Sequence, residues 1–279
     1  MKSKLALVLE GGGLRGIFTA GVIDCFLDND IDFDYVIGVS AGSCNAFAYI
    51  AKARSFIKKS MMQEDKRNAF YGVQQMVKSH KYVDLDKVFY DYTKQYDFDF
   101  DKFKNSKCNW EFVATNVNTG KPEYMHSDDV EMAKQMGRAS CSLPAITEPV
   151  EINGQLYLDG GISDSVPVER AMAKGYDKIV VVATRKQGSY SRINKPQLAL
   201  FSKIYEKYPK FIETLEVRSA MYKRQIKKCE RLEQEGKVIL IRPTLPEVGR
   251  LESDMDELSL SYFHGYTKAK EYIDQIKNW

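Results

Sequence analysis

Histidine is scarce in this sequence, three in 279 residues, which leaves little material for imidazole catalysis. Paired cysteines are missing too. Cys25, Cys44, Cys108, Cys141 and Cys229 are scattered, odd in number and without a Cys-x-x-Cys. That argues against a disulfide framework or a thiolate zinc site and suits a reducing compartment. No run approaches the roughly 20 apolar residues of a membrane span. The chain enters Leu5–Leu9 and then a glycine run directly, without an apolar core of signal-peptide length before a cleavage site, so a cytoplasmic protein is expected. An excess of one charge sign is absent: 41 basic against 38 acidic residues leave a formal +3. So small an excess gives no case for nucleic acid, although a local basic face stays open. Repeats and low-complexity segments are absent, and no pattern fixes an oligomeric state. What remains, 44% hydrophobic and 28% charged residues, is an ordinary globular composition. The length suits one α/β domain with an appended helical region.

The patterning supports that class. Leu5–Leu9 is a continuous apolar run bounded by glycines, as in a strand buried on both faces. A glycine loop follows, then helical spacing from Ile17 to Leu27. Tyr35–Val39 reads as a second strand and Ala41 to Lys59 as a helix, giving the βαβα order of a parallel sheet covered by helices. Residues 61–103 read as helical and partly irregular cover. Asn109–Asn118 alternates as a strand and ends in a turn at Thr119–Pro122. Ser127 is the candidate N-cap of a helix over Asp128–Arg138, which Ala139–Ala145 breaks. Val150–Leu158 suggests a hairpin turning at Asn153-Gly154. Val166–Lys174 reads as a short helix, Lys178–Thr184 as a buried strand and Lys237–Arg242 as the last strand. Leu258–Ile276 carries a helical apolar stripe expected to pack on the sheet. The motif-bearing core thus covers about residues 5–184, a helical basic cover about 186–235, and the last strand and helix about 237–279.

The chemistry concentrates where the second strand meets its helix. Gly38, Ser40 and Gly42 form a Gly-x-Ser-x-Gly, the pattern of a nucleophile elbow, in which small residues two before and two after the serine permit a very tight turn. Ser40 is therefore the candidate nucleophile. Gly11, Gly13 and Gly16 match Gly-x-Gly-x-x-Gly after a strand, which also describes a dinucleotide-binding loop. That reading wants an acid at the end of the second strand, yet Asp32 and Asp34 precede it. The same glycines could instead aim backbone N–H groups at the space above Ser40 as an oxyanion hole. Arg15 within the loop could steady it, meet an anionic headgroup, or simply face solvent.

Serine needs a partner that takes its proton. His264 falls within the last helical stripe, and His80 and His126 precede the strands that would have to carry a triad histidine. Asp159 follows an apolar Leu156-Tyr-Leu158 and is followed by Gly160 and Gly161. A buried aspartate there could serve as the base, although Asp-Gly-Gly also describes a plain tight turn.

Taken together, Gly11-Gly12-Gly13-Leu14-Arg15-Gly16, Gly38-Val-Ser40-Ala-Gly42 and Asp159-Gly160-Gly161, in this order, resemble the patatin-like phospholipase family. The small-residue block Arg138–Pro144 is similar to the family's block lining the active site. The resemblance implies a three-layer α/β/α sandwich with a mainly parallel sheet, and a Ser40–Asp159 dyad without histidine, metal or cofactor. It further implies an oxyanion hole at Gly11, Gly12 and Gly13, and hydrolysis of fatty-acyl esters in phospholipids or lysophospholipids. A dinucleotide-binding protein or a non-catalytic lipid-binding domain is the competing reading. Beyond Arg185 nothing matches a diagnostic pattern. Residues 201–228 hold Lys203, Lys207, Lys210, Arg218, Lys223, Arg224, Lys227 and Lys228 with Phe201, Ile204, Tyr205, Tyr208, Phe211 and Ile212 interleaved. They read either as a basic face for an anionic membrane or as a cover helix with a solvated side.

Overall fold

The computed structural model describes residues 4–65, 67–79, 82–190 and 192–279. Its strands are β1 (Leu5–Leu9), β2 (Tyr35–Val39), β3 (Asn109–Asn116), β4 (Pro122–Met125), β5 (Val150–Ile152), β6 (Gln155–Asp159), β7 (Lys178–Val182) and β8 (Val238–Ile241). The helices are α1 (Gly16–Asp28), α2 (Ala41–Ile50), α3 (Phe56–Met61), α4 (Val73–Ser79), α5 (Tyr92–Gln95), α6 (Phe100–Lys104), α7 (Val130–Cys141), α8 (Val168–Ala173), α9 (Lys195–Ile204), α10 (Pro209–Gln234), α11 (Met255–Lys270) and α12 (Ile273–Lys277). A π-helical turn, Lys87–Asp91, precedes α5.

The eight strands among the described residues join one sheet, paired in the path β5-β6-β3-β2-β1-β7-β8, with β4 added to β3. The pairs from β3 through β2, β1 and β7 to β8 are parallel; those of β4, β5 and β6 are antiparallel. Alternate residues face opposite layers, which is why the central strands read as unbroken apolar runs. Leu7, Val180 and Ile239 join the core shared with α1, α2 and α7, while Val8, Val181 and Leu240 join the core shared with α8 and α10. The architecture is the three-layer α/β/α sandwich anticipated above.

One detail of the pairing positions the chemistry. Phe112 and Val113 of β3 pair with β2 on one edge and β4 on the other. The next residue, Ala114, pairs with β4 and with Asp159 of β6. Since β4 keeps its edge, β6 takes up the edge that β2 vacates. β6 therefore runs head-on towards the end of β2, and Asp159 arrives where Ser40 departs.

Several elements differ from the sequence reading. The helix expected from Ala41 to Lys59 is broken into α2 and α3 by left-handed residues at Lys52 (φ 54°) and Ser55 (φ 61°). Both Asp24 carboxylate oxygens accept from the Ser55 N–H, at 3.0 and 3.1 Å, so a tertiary contact fixes the break. The turn after β3 leads straight into β4, a strand not anticipated. The cap of α7 is Asp129, which accepts from Met132 N at 2.7 Å, and the helix continues to Cys141. The C-terminal stripe divides into α11 and α12, and α11 packs principally on α1, outside the sheet. His80 lies outside the described residues.

Candidate active site

Ser40 occupies the junction of β2 and α2 with φ 54° and ψ −126°, a backbone that L-residues avoid at a cost on the order of 1–3 kcal/mol. The turn closes so tightly that a Cβ at Gly38 would lie 2.5 Å from the Gly42 carbonyl oxygen, and one at Gly42 would lie 2.2 Å from that of Leu9. Ser140, from the small-residue block at the end of α7, holds the strained turn. Its hydroxyl donates to Val113 O at 2.6 Å and accepts from the Ser40 N–H at 2.9 Å. Having one proton, it must also accept in its 2.7 Å contact with Ser43 Oγ.

The Ser40 hydroxyl donates to Asp159 Oδ2 at 2.5 Å. Asp159 Oδ1 accepts from Gly161 N at 2.7 Å. The backbone of Asp159 is fixed at both ends, donating to Ser142 O and accepting from Thr115 Oγ1 at 2.8 Å. Only 5% of Asp159 is exposed. Burial raises its carboxyl above the ordinary aspartate range; the bonds from Ser40 and Gly161 and the charges of Arg218 and Arg250 oppose that rise without cancelling it. A hydrogen bond from the serine hydroxyl and a basicity pushed upward suit a group that takes a proton from serine.

The glycine loop lies against this pair. A Cβ at Gly11 would fall 2.8 Å from Ser40 Cβ, so only glycine lets the backbone approach the serine. The loop is tied down by Thr184, which follows β7: its hydroxyl donates to Gly11 O at 2.9 Å, and its N–H donates to the buried Glu10 carboxylate at 2.6 Å. Burial raises the Glu10 pKa, and the Thr184 N–H works against it. Leu14 N donates to Arg250 O at 3.0 Å, and Arg15 Nε donates to Val248 O at 3.1 Å. Arg15 thus steadies the loop. Gly16 brings α1 close to α2, a contact bridged by Asn45 Nδ2, which donates to Gly16 O and Ala41 O. Gly160 and Gly161 form the turn after Asp159, and Arg218 Nε donates to Gly161 O at 2.6 Å.

Gly11, Gly12, Gly13, Ser40 and Asp159 all line one cavity of about 260 Å³. Its lining is largely apolar and includes Ile57, Met61, Val88, Leu143, Ile146 and Phe201. A buried hydroxyl–carboxylate pair facing a glycine backbone and an apolar chamber can attack an acyl ester and bind its hydrocarbon chain.

Other candidates are left apart. Asp34 accepts from Leu5 N and Asp32 pairs with Lys52, at the end of the sheet opposite the glycine loop. That arrangement leaves a dinucleotide without its ribose acid. His126 Nδ1 contacts Trp110 O, and His264 Nε2 contacts Thr244; neither ring lines the cavity. Of the proposed basic face, Arg218 turns inward to the site, and Tyr205 and Phe211 are buried. Sequence reasoning missed Thr184, Arg185, Arg218 and Arg250 as parts of the site. It found Ser140 only as a member of its block.

The model of the patatin-like phospholipase family matches residues 7–172, and that of a domain of unknown function, DUF6363, matches residues 208–279. The uncharacterized protein YjjU of Escherichia coli is 32% identical over 186 residues, covering 65% of this chain and 52% of that protein. Lysophospholipase nte1 of Aspergillus fumigatus is 29% identical over 297 residues, covering 98% of this chain and 18% of that protein. The chain therefore spans about half the length of the first relative and under a fifth of the second. The crystal structure of VipD from Legionella pneumophila superposes with a TM-score of 0.54 at 15% identity, over 99% of this chain and 67% of that one, and shares its fold.

Proposed function

Because this chain belongs to the patatin-like phospholipase family, we propose that it is a serine acyl hydrolase acting on the fatty-acyl esters of phospholipids or lysophospholipids through a Ser40–Asp159 dyad. The observation that carries the reading is the 2.5 Å bond from Ser40 Oγ to Asp159 Oδ2, made inside the cavity that the glycine loop faces. The Ser40 oxygen attacks the acyl carbonyl carbon as its proton passes to Asp159. Amide groups of Gly11, Gly12 and Gly13 receive the oxyanion. Collapse breaks the ester bond, and the leaving alcohol takes the proton back from Asp159. Water, giving its proton to the same carboxylate, then attacks the acyl carbonyl; collapse breaks the Ser40 ester, Ser40 takes the proton back from Asp159, and the fatty acid leaves.

The apolar lining supports a hydrocarbon acyl chain, and the name of the fungal relative supports a lysophospholipid. We place the protein in the cytoplasm, where its five free thiols are at home, with peripheral contact to lipid. No helix among the described residues is long and apolar enough to cross a membrane. We treat residues 1–279 as one unit, since β8 completes the sheet begun by β1 and α10 closes the cavity.

A fluorophosphonate probe tests the reading. It should label wild-type protein at Ser40 and leave Ser40→Ala unlabelled, while Asp159→Asn should lower ester turnover by on the order of 10²- to 10⁴-fold with the fold intact by circular dichroism. An unlabelled wild type would favour a non-catalytic binding domain. Undiminished turnover in Asp159→Asn would remove the carboxylate from the mechanism.

A further inference from the structure

Apart from the pull of Arg218 and Arg250 on Asp159, the proposed mechanism gives the positive charge of the cavity no task. Five arginines line it, Arg15, Arg185, Arg192, Arg218 and Arg250, against two carboxylates, Glu10 and Asp159. Only Arg15 lies within the stretch matched by the phospholipase family; Arg218 and Arg250 belong to the segment matched as a domain of unknown function. The chain supplies them from separate places: Arg185 after β7, Arg218 from α10 and Arg250 from the loop between β8 and α11. No local pattern joins them; the sheet does.

Like charges gathered out of water repel one another. Burial holds Arg15, Arg218 and Arg250 below the ordinary guanidinium range, and the field of Arg185 adds to this at all three. Arg15 and Arg218 come down to about 10, which still leaves them protonated at neutral pH. Partial compensation is visible: Arg185 lies 3.7 Å from Glu247, and Asp159 is felt by both Arg218 and Arg250. It is incomplete. Arg15 Nη1 is buried without a hydrogen-bond partner among the described residues. The cluster is also anchored against the chemistry, since Arg218 Nε holds Gly161 O and the Arg250 carbonyl holds Leu14 N.

We propose that Arg185, Arg218 and Arg250, with Arg15, form an anion subsite beside Ser40 that takes the phosphate of a lipid headgroup, so that the C-terminal segment supplies substrate selection to the hydrolase. A phosphate adds the negative charge that this wall lacks, and guanidinium forks match its oxygens. It also sits only a few bonds from the ester that Ser40 attacks. The substrate in this inference rests on the hydrolase reading; the phosphate ligand does not.

The test uses two substrates with the same acyl chain, lysophosphatidate and monoacylglycerol, held below their aggregation concentrations. The phosphorylated ester should be cleaved with a kcat/KM at least roughly 10-fold higher. That ratio should fall towards unity in Arg250→Gln and in Arg185→Gln, and Arg250→Lys should restore part of it. Equal kcat/KM values in the wild type would overturn the subsite while leaving the hydrolase standing. Calorimetric titration of Ser40→Ala with glycerol 3-phosphate and with inorganic phosphate at low salt reads the ligand without turnover. Tighter binding of glycerol 3-phosphate supports the headgroup as its source, and equal binding supports free phosphate at the same subsite. Absence of binding by either to folded protein overturns the inference. Binding of glycerol 3-phosphate by a wild type that cleaves neither ester would retain the subsite and end the hydrolase reading.

Discussion

Asp159 carries two opposed influences whose balance is measurable. Burial raises its pKa above the aspartate reference of 3.8, while Arg218 and Arg250 pull it down. In the proposed mechanism the carboxylate must be ionised to accept the serine proton, so kcat/KM on a water-soluble ester should fall as pH drops through the raised pKa, above the range of an exposed aspartate. Replacing Arg250 by glutamine removes a positive charge that favours the ionised form. The acid limb of the profile should then move to higher pH. A limb that stays in place in Arg250→Gln would show that Asp159 does not feel that charge. Ser40 belongs to the same scale. Its φ of 54° is tolerated because Gly38 and Gly42 leave room and Ser140 binds its amide.

At the scale of elements, the sheet and its helices meet through close backbone approaches. The tightest outside the site is the crossing of α1 and α11. A Cβ at Gly21 would lie 2.0 Å from Tyr262 O, and one at Gly265 would lie 2.0 Å from Phe18 O. Gly21→Ala and Gly265→Ala should each lower unfolding free energy by about 1–3 kcal/mol or more, seen as an earlier midpoint in urea. A midpoint unchanged in both would mean that the helices can separate without loss. The same scale shows what could be read from sequence. β1, β2, β7 and β8 were legible because strands covered on both faces need apolar residues at every position. The hairpin at Asn153 and Gly154 was legible because both adopt positive φ, which this residue pair accommodates. β4 was not, being a four-residue strand that starts with proline. The break between α2 and α3 was not, since Lys52 and Ser55 give no local sign of left-handed backbone and Asp24, far back in the chain, helps to impose it. Ser40, Asp159 and the glycine loop, which the fold brings together, were legible as candidates because each sits in a short motif. The arginines were not, because 185, 218 and 250 become neighbours only through the fold.

At the scale of the whole molecule, the long helix α10 works on both of its sides. Leu215, Arg218 and Tyr222 line the cavity, while Lys223, Arg224 and Lys227 are exposed on its outside. Reversing those three charges to glutamate should reduce sedimentation with anionic phospholipid vesicles while hydrolysis of a soluble short-chain ester continues. Sedimentation equal to that of wild type would confine lipid contact to the mouth of the cavity. Lys228 is left out of that set because it is committed to Glu169.

The head-on arrival of β6 has a consequence for how activity is lost. Hydroxyl and carboxylate are gauged against the same strand: Val113 sets the position of Val39, next to the serine, and Ala114 sets that of Asp159. A slip of one residue along β3 would carry the acid about 3.3 Å and turn it to the opposite face. The spacing of the Ser40 hydroxyl and the Asp159 carboxylate is thus a property of ladder register and not of a loop that can wander. Heating should therefore silence this protein all at once, when the ladder itself comes apart, and spare it the gradual decline of sites whose partners ride on independent loops.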